Sequence, residues 1–225
     1  MVFTFWEGYM PDYIKLCMRT WKFEYIVLDY SNLKDFTDLP IDNRLKRFNL
    51  PQIADCIRVH VLRDNGGYWL DADTLSVTGD LPTEHIVGND KRENTIGFLH
   101  TDRHSKMFTE WAEYQDEILA DAKAPHYWNI MGNAFTDTYV KEHKEIKIYP
   151  ISDTWAETYM IKDNTHNYWK YVKFYFDSKY SLKDLHSTDL LMLHNSWTPE
   201  WYKTRIERDV LRTDCTLTRI LKELL

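Results

Sequence analysis

The chain has 225 residues, 44% of them hydrophobic and 28% charged, with a formal net charge of −7; this is an ordinary globular profile that excludes collagen, a disordered tail and a coiled coil. No apolar run approaches the roughly 18–20 residues that span a bilayer, and the opening MVFTFWEGYMPD lacks the basic and apolar regions of a secretory signal. An acidic chain without a basic patch is not expected to bind nucleic acid. Cys17, Cys56 and Cys215 match no zinc or redox spacing, so they read as reduced, buried thiols of a cytoplasmic protein. Aromatic residues reach 15%, a content that fits sugar stacking without showing it.

Val2–Trp6 reads as a short strand ended by Gly8 and Pro11. Pro11–Thr20 can form a helix with Ile14, Cys17 and Met18 on one side, and Tyr25–Leu28 is a second strand. This strand–helix–strand opening predicts a parallel α/β sheet. Pro51–Asp64 is the clearest helix. Pro51 fits its first turn, Ile53, Ile57 and Val61 recur every fourth residue, and Asn65-Gly66-Gly67 stops it. The apolar run Tyr68-Trp69-Leu70 reads as a buried parallel strand leading into Asp71-Ala72-Asp73. Further on, the pattern predicts a strand over Thr95–Leu99, helices over Ser105–Ala120 and Tyr127–Val140, and a strand over Ile146–Tyr149. A hairpin over Tyr168–Tyr180, a strand over Leu190–Leu193 and a closing helix over most of Glu200–Leu225 complete the chain. With no break in composition, one α/β domain is expected, its mixed, mainly parallel sheet flanked by helices.

Asp71 and Asp73 carry the first chemical signal. In a continuing strand, residues i and i+2 share a face, so both carboxylates would converge at the strand's carboxyl end. That is where open α/β sheets bind ligands. Two close carboxylates repel unless a cation lies between them or one is protonated. Mg2+ or Mn2+ favours such oxygens, with substrate phosphates completing the shell. The local reading is therefore a divalent metal that holds a diphosphate. Asp55 and Arg58 lie on one face of the preceding helix and read alone as a surface ion pair. The Gly-Gly turn changes this, because it sets the helix antiparallel to the strand and brings its first half beside Asp71 and Asp73. There Arg58 can bind phosphate or sugar oxygens, and Asp55 can accept from sugar hydroxyls. Asp29, at the end of the second strand, reads equally as a nucleotide contact or a turn cap.

The string from Leu50 to Asp73, with Asp55-x-x-Arg58, Gly66-Gly67, an aromatic and Asp71-x-Asp73, resembles the core of DXD-motif glycosyltransferases. These are the family-32 type enzymes of capsule and cell-wall polysaccharide synthesis and yeast mannan initiation, with the clostridial glucosylating toxins as distant relatives. Phe3-Thr4-Phe5-Trp6 resembles the family's opening strand, where an aromatic stacks on the nucleotide base, and Trp6 is the matching position. Leu193-His194-Asn195-Ser196-Trp197 resembles the closing element that completes the metal shell and covers the diphosphate.

The resemblance implies a single GT-A-type domain over residues 1–225, with a nucleotide-sugar-binding half (1–100) and an acceptor half (101–225) that ends in the closing element. Asp55, Arg58, Asp71 and Asp73 are implied to be catalytic. Phe5, Trp6, Asp55, Arg58, Asp71, Ser196 and Trp197 are implied to contact the nucleotide sugar. Asp73, with His194 ahead of Asn195, is implied to hold Mn2+ or Mg2+. A UDP-sugar donor, a glycan or other hydroxyl acceptor and retention of configuration follow from the same resemblance. Retention needs no dedicated base, whereas an inverting enzyme would need an Asp or Glu across the ring. Gly132-Asn133 stands where the family often has Gly-Pro, and acceptor recognition is expected within Trp155–Tyr180. Two rivals remain. A metal-dependent phosphohydrolase needs further acidic or His ligands, and only His194 is obvious. A non-catalytic carbohydrate-binding module fits the aromatics but leaves the four charged residues unexplained.

Overall fold

The structure, a computed structural model, describes residues 1–88, 94–150, 167–185 and 189–225. Its strands are β1 (Val2–Phe5), β2 (Tyr25–Leu28), β3 (Gly67–Leu70), β4 (Thr74–Ser76), β5 (Ile86–Gly88), β6 (Asn94–Thr101), β7 (Ile148–Pro150) and β8 (Leu190–Met192). Its helices are α1 (Asp12–Arg19), α2 (Asn43–Lys46), α3 (Leu50–Asn65), α4 (Lys106–Ala120), α5 (Asn133–Glu142), α6 (Asn167–Val172), α7 (Glu200–Lys203), α8 (Glu207–Val210) and α9 (Thr216–Leu224). They fall into two compact units. The first comprises Met1–Glu7, Tyr25–Asp71 and Thr83–Tyr149, and the second Gly8–Glu24, Ala72–Pro82 and Pro150–Leu225.

The first unit is built on a mixed sheet of order β2-β1-β3-β6-β5-β7. β2, β1 and β3 are parallel, β6 is antiparallel to β3, and β5 is antiparallel to β6. All four residues of β1 are buried, as a central parallel strand requires. α3 packs on β1, β3 and β6, and α4 packs on α3. Phe3, Leu28, Ile57, Val61, Trp69, Leu99, Phe108 and Trp111 belong to the shared core.

Local chemistry fixes α3 at both ends. Asn49 and Gln52 form a reciprocal capping box, and Pro51 occupies the first turn. Gly66 and Gly67 end the helix with φ of 68° and 89°, a region closed to most side chains. A Cβ at Gly66 would lie 2.6 Å from the Arg103 amide nitrogen, and one at Gly67 would lie 2.5 Å from the Met1 carbonyl oxygen. Both neighbours are backbone and cannot yield cheaply.

The second unit contains the antiparallel pair β4–β8. Tyr13, Leu16, Leu75, Tyr171, Phe174, Leu191, Tyr202 and Leu221 are all buried there. Three expectations need correction. The stretch expected as a hairpin over Tyr168–Tyr180 is α6 followed by a π-helical turn, Lys173–Asp177. Its β-prone aromatics pack at helical spacing, with the Tyr171 and Tyr175 rings 4.8 Å apart, so packing overrides propensity. The closing helix is three short ones. α7 and α8 are each followed by a threonine, Thr204 or Thr213, whose hydroxyl bonds back to the carbonyl four residues earlier. In the first unit, the helix expected from Tyr127 starts only at Asn133. The carbonyls of Tyr127 and Met131 accept side-chain hydrogen bonds from Gln52, Trp111 and Gln115, which hold residues 127–132 in turns.

Cys17, Cys56 and Cys215 are buried and none is in a disulfide. Among the described residues no helix is long and apolar enough to cross a membrane. Residues 155–166 of the expected acceptor segment lie outside the described residues. The glycine pair yields the first test. Gly67→Ala should cost more than about 1 kcal/mol, because alanine is strained at that φ and meets backbone, and chemical denaturation of parent and variant measures it.

Candidate active site

Arg58 is the centre of the charged group in the first unit. It lies in the middle of α3 and is only 5% exposed. Its Nη2 lies 3.0 Å from Asp55 Oδ1 and 3.3 Å from Asp71 Oδ1. Nη1 donates to the Ile96 carbonyl of β6, and Nε donates to the Ala54 carbonyl at 3.4 Å. The guanidinium carbon stands 5.2 Å from the centroid of the Trp69 ring, and the Trp69 indole N–H donates to Asp71 Oδ1 at 2.9 Å. Strand alternation puts Trp69 and Asp71 on one face, since Asp71 extends the ladder by one bond, its N–H donating to Gly97 at 2.8 Å. Trp69 was therefore readable from its spacing to Asp71, although the motif reading passed over it.

Three charges enclosed this closely perturb one another. Burial pushes the Asp55 carboxyl up to about 7; Arg58 acts against that rise and Asp71 adds to it. Among the described residues nothing donates to Oδ2 of Asp55 or of Asp71, and the Asp71 side chain is 36% exposed. Gly132 lies against Asp55. A Cβ there would stand 3.1 Å from Asp55 Oδ2 and 2.4 Å from Ile96 Cδ1. The site thus holds one fixed cation and two carboxylate oxygens able to accept from a ligand.

Asp73 belongs to the second unit. β3 stops at Leu70 and Ala72-Asp73 form a turn, so the expected continuing strand with two converging carboxylates is corrected. The carboxylates engage different partners. Asp73 Oδ2 accepts the Asn195 backbone N–H at 2.6 Å. The side-chain oxygen of Asn195 accepts from the buried Tyr13 hydroxyl, a partner on α1 that no sequence signal announced. His194 stacks 4.2 Å from the Trp197 ring and 5.5 Å from the Tyr171 ring. Burial lowers its pKa to about 4, which keeps the imidazole neutral. Asn195–Trp197 form a single 3-10 turn with Ser196 exposed and Trp197 half-buried. Among the described residues no group of three or more His, Cys, Asp or Glu side chains is arranged to hold a metal.

In the first unit, Phe5 is buried with its ring 5.6 Å from that of Tyr30. Trp6 is half-buried just beyond β1, its N–H donating to Leu28 at 2.9 Å. Asp29 Oδ1 accepts from the Ser31 N–H and hydroxyl and from the Asn32 N–H, so the residue caps its turn.

The class is thus a mixed α/β protein with an Asp–Arg–Asp group, centred on a buried arginine, at the carboxyl end of a parallel strand. Residues 1–195 match the family model described as capsular polysaccharide synthesis protein, and the chain belongs to that family. No curated protein matches it. Among solved structures it is similar to one named PaToxG Glycosyltransferase, at 14% identity over 63% of this chain and 67% of that chain, with a TM-score of 0.42.

The raised Asp55 pKa sets a direction for stability. The folded state holds this proton more tightly than the unfolded chain does. The resulting stability is complete below about pH 4 and is lost as pH rises through about 7. Asp55→Asn should remove that slope, worth on the order of 4 kcal/mol between the two limits. Denaturant titrations of parent and variant at several pH values test this, and parallel profiles would show that Asp55 titrates normally.

Proposed function

We propose that the protein is a glycosyltransferase that moves a sugar from a nucleoside-diphosphate sugar, in this reading a UDP-sugar, to a hydroxyl of a glycan or other acceptor, with retention. The buried Arg58 between Asp55 and Asp71 carries the reading. A buried ion cluster adds little net stability over apolar residues of similar volume. Its desolvation cost makes sense where charge must meet a polar ligand, and shifted pKa values gather at such places. Asp55 and Asp71 each keep an oxygen for sugar hydroxyls, and Arg58 offsets their charge. Membership in a family of polysaccharide synthesis supports a sugar substrate. Phe5 and Trp6 are assigned to the nucleotide base, and Ser196 and Trp197 to the diphosphate.

A divalent cation belongs to this reading. The Asp73 carboxylate and the Asn195 amide oxygen are hard donors of the kind that Mg2+ or Mn2+ takes, with water and phosphate filling the remaining positions. They would hold such an ion. The imidazole of His194 suits softer metals, so Asn195 stands ahead of it here. The ion, when bound, supplies Lewis-acid stabilisation of the departing nucleoside diphosphate. Asp55, Arg58 and Asp71 would orient the sugar. No side chain is assigned as base, because in a retaining transfer the leaving phosphate takes the acceptor's proton.

The test is nucleotide release from a panel of sugar nucleotides in the presence of Mn2+. Arg58→Lys keeps the charge but loses the planar fork, and should lower kcat/KM by about 100-fold. Asp73→Ala and chelation should each stop release, with Mn2+ restoring the chelated parent. Parent kinetics in Arg58→Lys, or full turnover in chelator, would sink the assignment. Release of inorganic phosphate from sugar phosphates would instead favour a phosphohydrolase.

A further inference from the structure

Tyr127 and Trp128 are unusual in their surroundings. They are 49% and 75% exposed, in a segment whose neighbours Ile130 and Met131 are buried. Most tryptophan surface is buried in a folded chain, so an aromatic pair left in water calls for a reason. Their backbone is not loose. Gln52 donates to the Tyr127 carbonyl at 3.0 Å, and Ile130 N–H closes onto the same oxygen at 3.2 Å. Trp111 and Gln115 both donate to the Met131 carbonyl, at 3.1 and 2.6 Å. The Gln115 amide also reaches the Asp55 carbonyl at 3.1 Å.

These anchors place the segment. Gln52 and Asp55 lie on one face of α3, one turn apart. The chain is tied to Gln52 at Tyr127 and lies against Asp55 at Gly132. It therefore runs along that face toward the carboxylate. Trp128 is four residues from Gly132, a span of at most about 14 Å. The exposed Trp128 thus lies on the segment that leads to Gly132 and to the Asp55 oxygen that has no donor among the described residues.

We infer that Trp128, supported by Tyr127, is the platform on which the acceptor saccharide stacks, next to the donor sugar at Asp55. The inference rests on the glycosyltransferase reading and adds the acceptor's place to it. An indole face suits the apolar C–H face of a pyranose, while ring edges and nearby polar groups remain for its hydroxyls. The backbone bonds hold the platform in place before binding, so little ordering is required when the saccharide arrives. Gly132 fits the same picture. A side chain there would collide with Ile96 Cδ1 at 2.4 Å and press on Asp55 Oδ2 at 3.1 Å, so glycine lets the segment come this close to the carboxylate.

The protein labelled with 5-fluorotryptophan gives a direct reading by 19F NMR, with the Trp128 resonance assigned from Trp128→Phe. Maltohexaose, cellohexaose, mannohexaose and chitohexaose are titrated without any nucleotide sugar. At least one should move the Trp128 resonance saturably and leave that of Trp201, also exposed, in place. Trp128→Ala should weaken that saccharide's binding about tenfold, a typical loss for removing an aromatic stacking partner, with the thermal midpoint unchanged. If no saccharide moves the Trp128 resonance, or Trp128→Ala binds as tightly as the parent, the platform is overturned. Nucleotide release by a protein whose Trp128 never responds would overturn the platform alone. Saccharide binding at Trp128 without release from any sugar nucleotide would overturn the transferase reading, and with it the saccharide's role as acceptor.

Discussion

Arg58 meets Asp71 because two lengths agree. Arg58 lies eight residues before Gly66 on α3, about 12 Å along the helix axis. Asp71 lies four residues after Gly67, about 13 Å along an extended strand. The chain reverses between them at two glycines in the left-handed region, so residues at equal distances from the reversal come side by side. A helix of the same sequence followed by a looser turn would leave Arg58 facing apolar strand residues. The tight reversal is therefore what joins the guanidinium to the carboxylate, and the close approach of Gly67 to the Met1 carbonyl locks β3 beside β1 at the same point.

Once Arg58 is enclosed, the remaining partners follow from the need to satisfy its donors. A buried guanidinium must place its N–H groups or forfeit their solvation. The Ile96 carbonyl, the Ala54 carbonyl and two carboxylates take them, and the Trp69 ring lies beside the cation. Two carboxylates to one guanidinium leave an excess negative charge in a poorly solvated place. Burial is the main cause of the raised Asp55 pKa, and the neighbouring Asp71 charge adds to it against the pull of Arg58. A group this near neutrality responds to whatever binds beside it. A hydroxyl that donates to Asp55 would favour the ionised form, and a further anion would favour the protonated one.

Much of this was legible in the sequence. Pro51 at the start of α3, its apolar repeat and the glycine stop fix one element almost to the residue. The short apolar run after the glycines could only be a buried strand. The Asp55–Arg58 pair could be moved from surface to site by the helix–turn–strand geometry alone. What failed depends on distant residues. Nothing near Tyr127 says that Gln52, Trp111 and Gln115 will take its segment's carbonyls, so helical periodicity ran too far toward the N-terminus. Tyr168–Tyr180 is rich in strand formers, yet its aromatics fill helical packing positions. Tyr13, which holds Asn195, is distant from it in sequence and carries no motif.

The Asp71-Ala72-Asp73 string shows why a short motif needs its backbone. Read as a strand, it sends both carboxylates to one face and makes them equivalent. The strand instead stops at Leu70, and a turn separates the two roles. Asp71, the last residue bonded to β6 through Gly97, is held by Trp69 and Arg58. Asp73 accepts the Asn195 amide N–H at the start of the turn that carries Ser196 and Trp197. One carboxylate thus faces a fixed cation and the other a backbone N–H. A single intervening alanine is enough to give the two carboxylates different partners, provided that the strand ends before it.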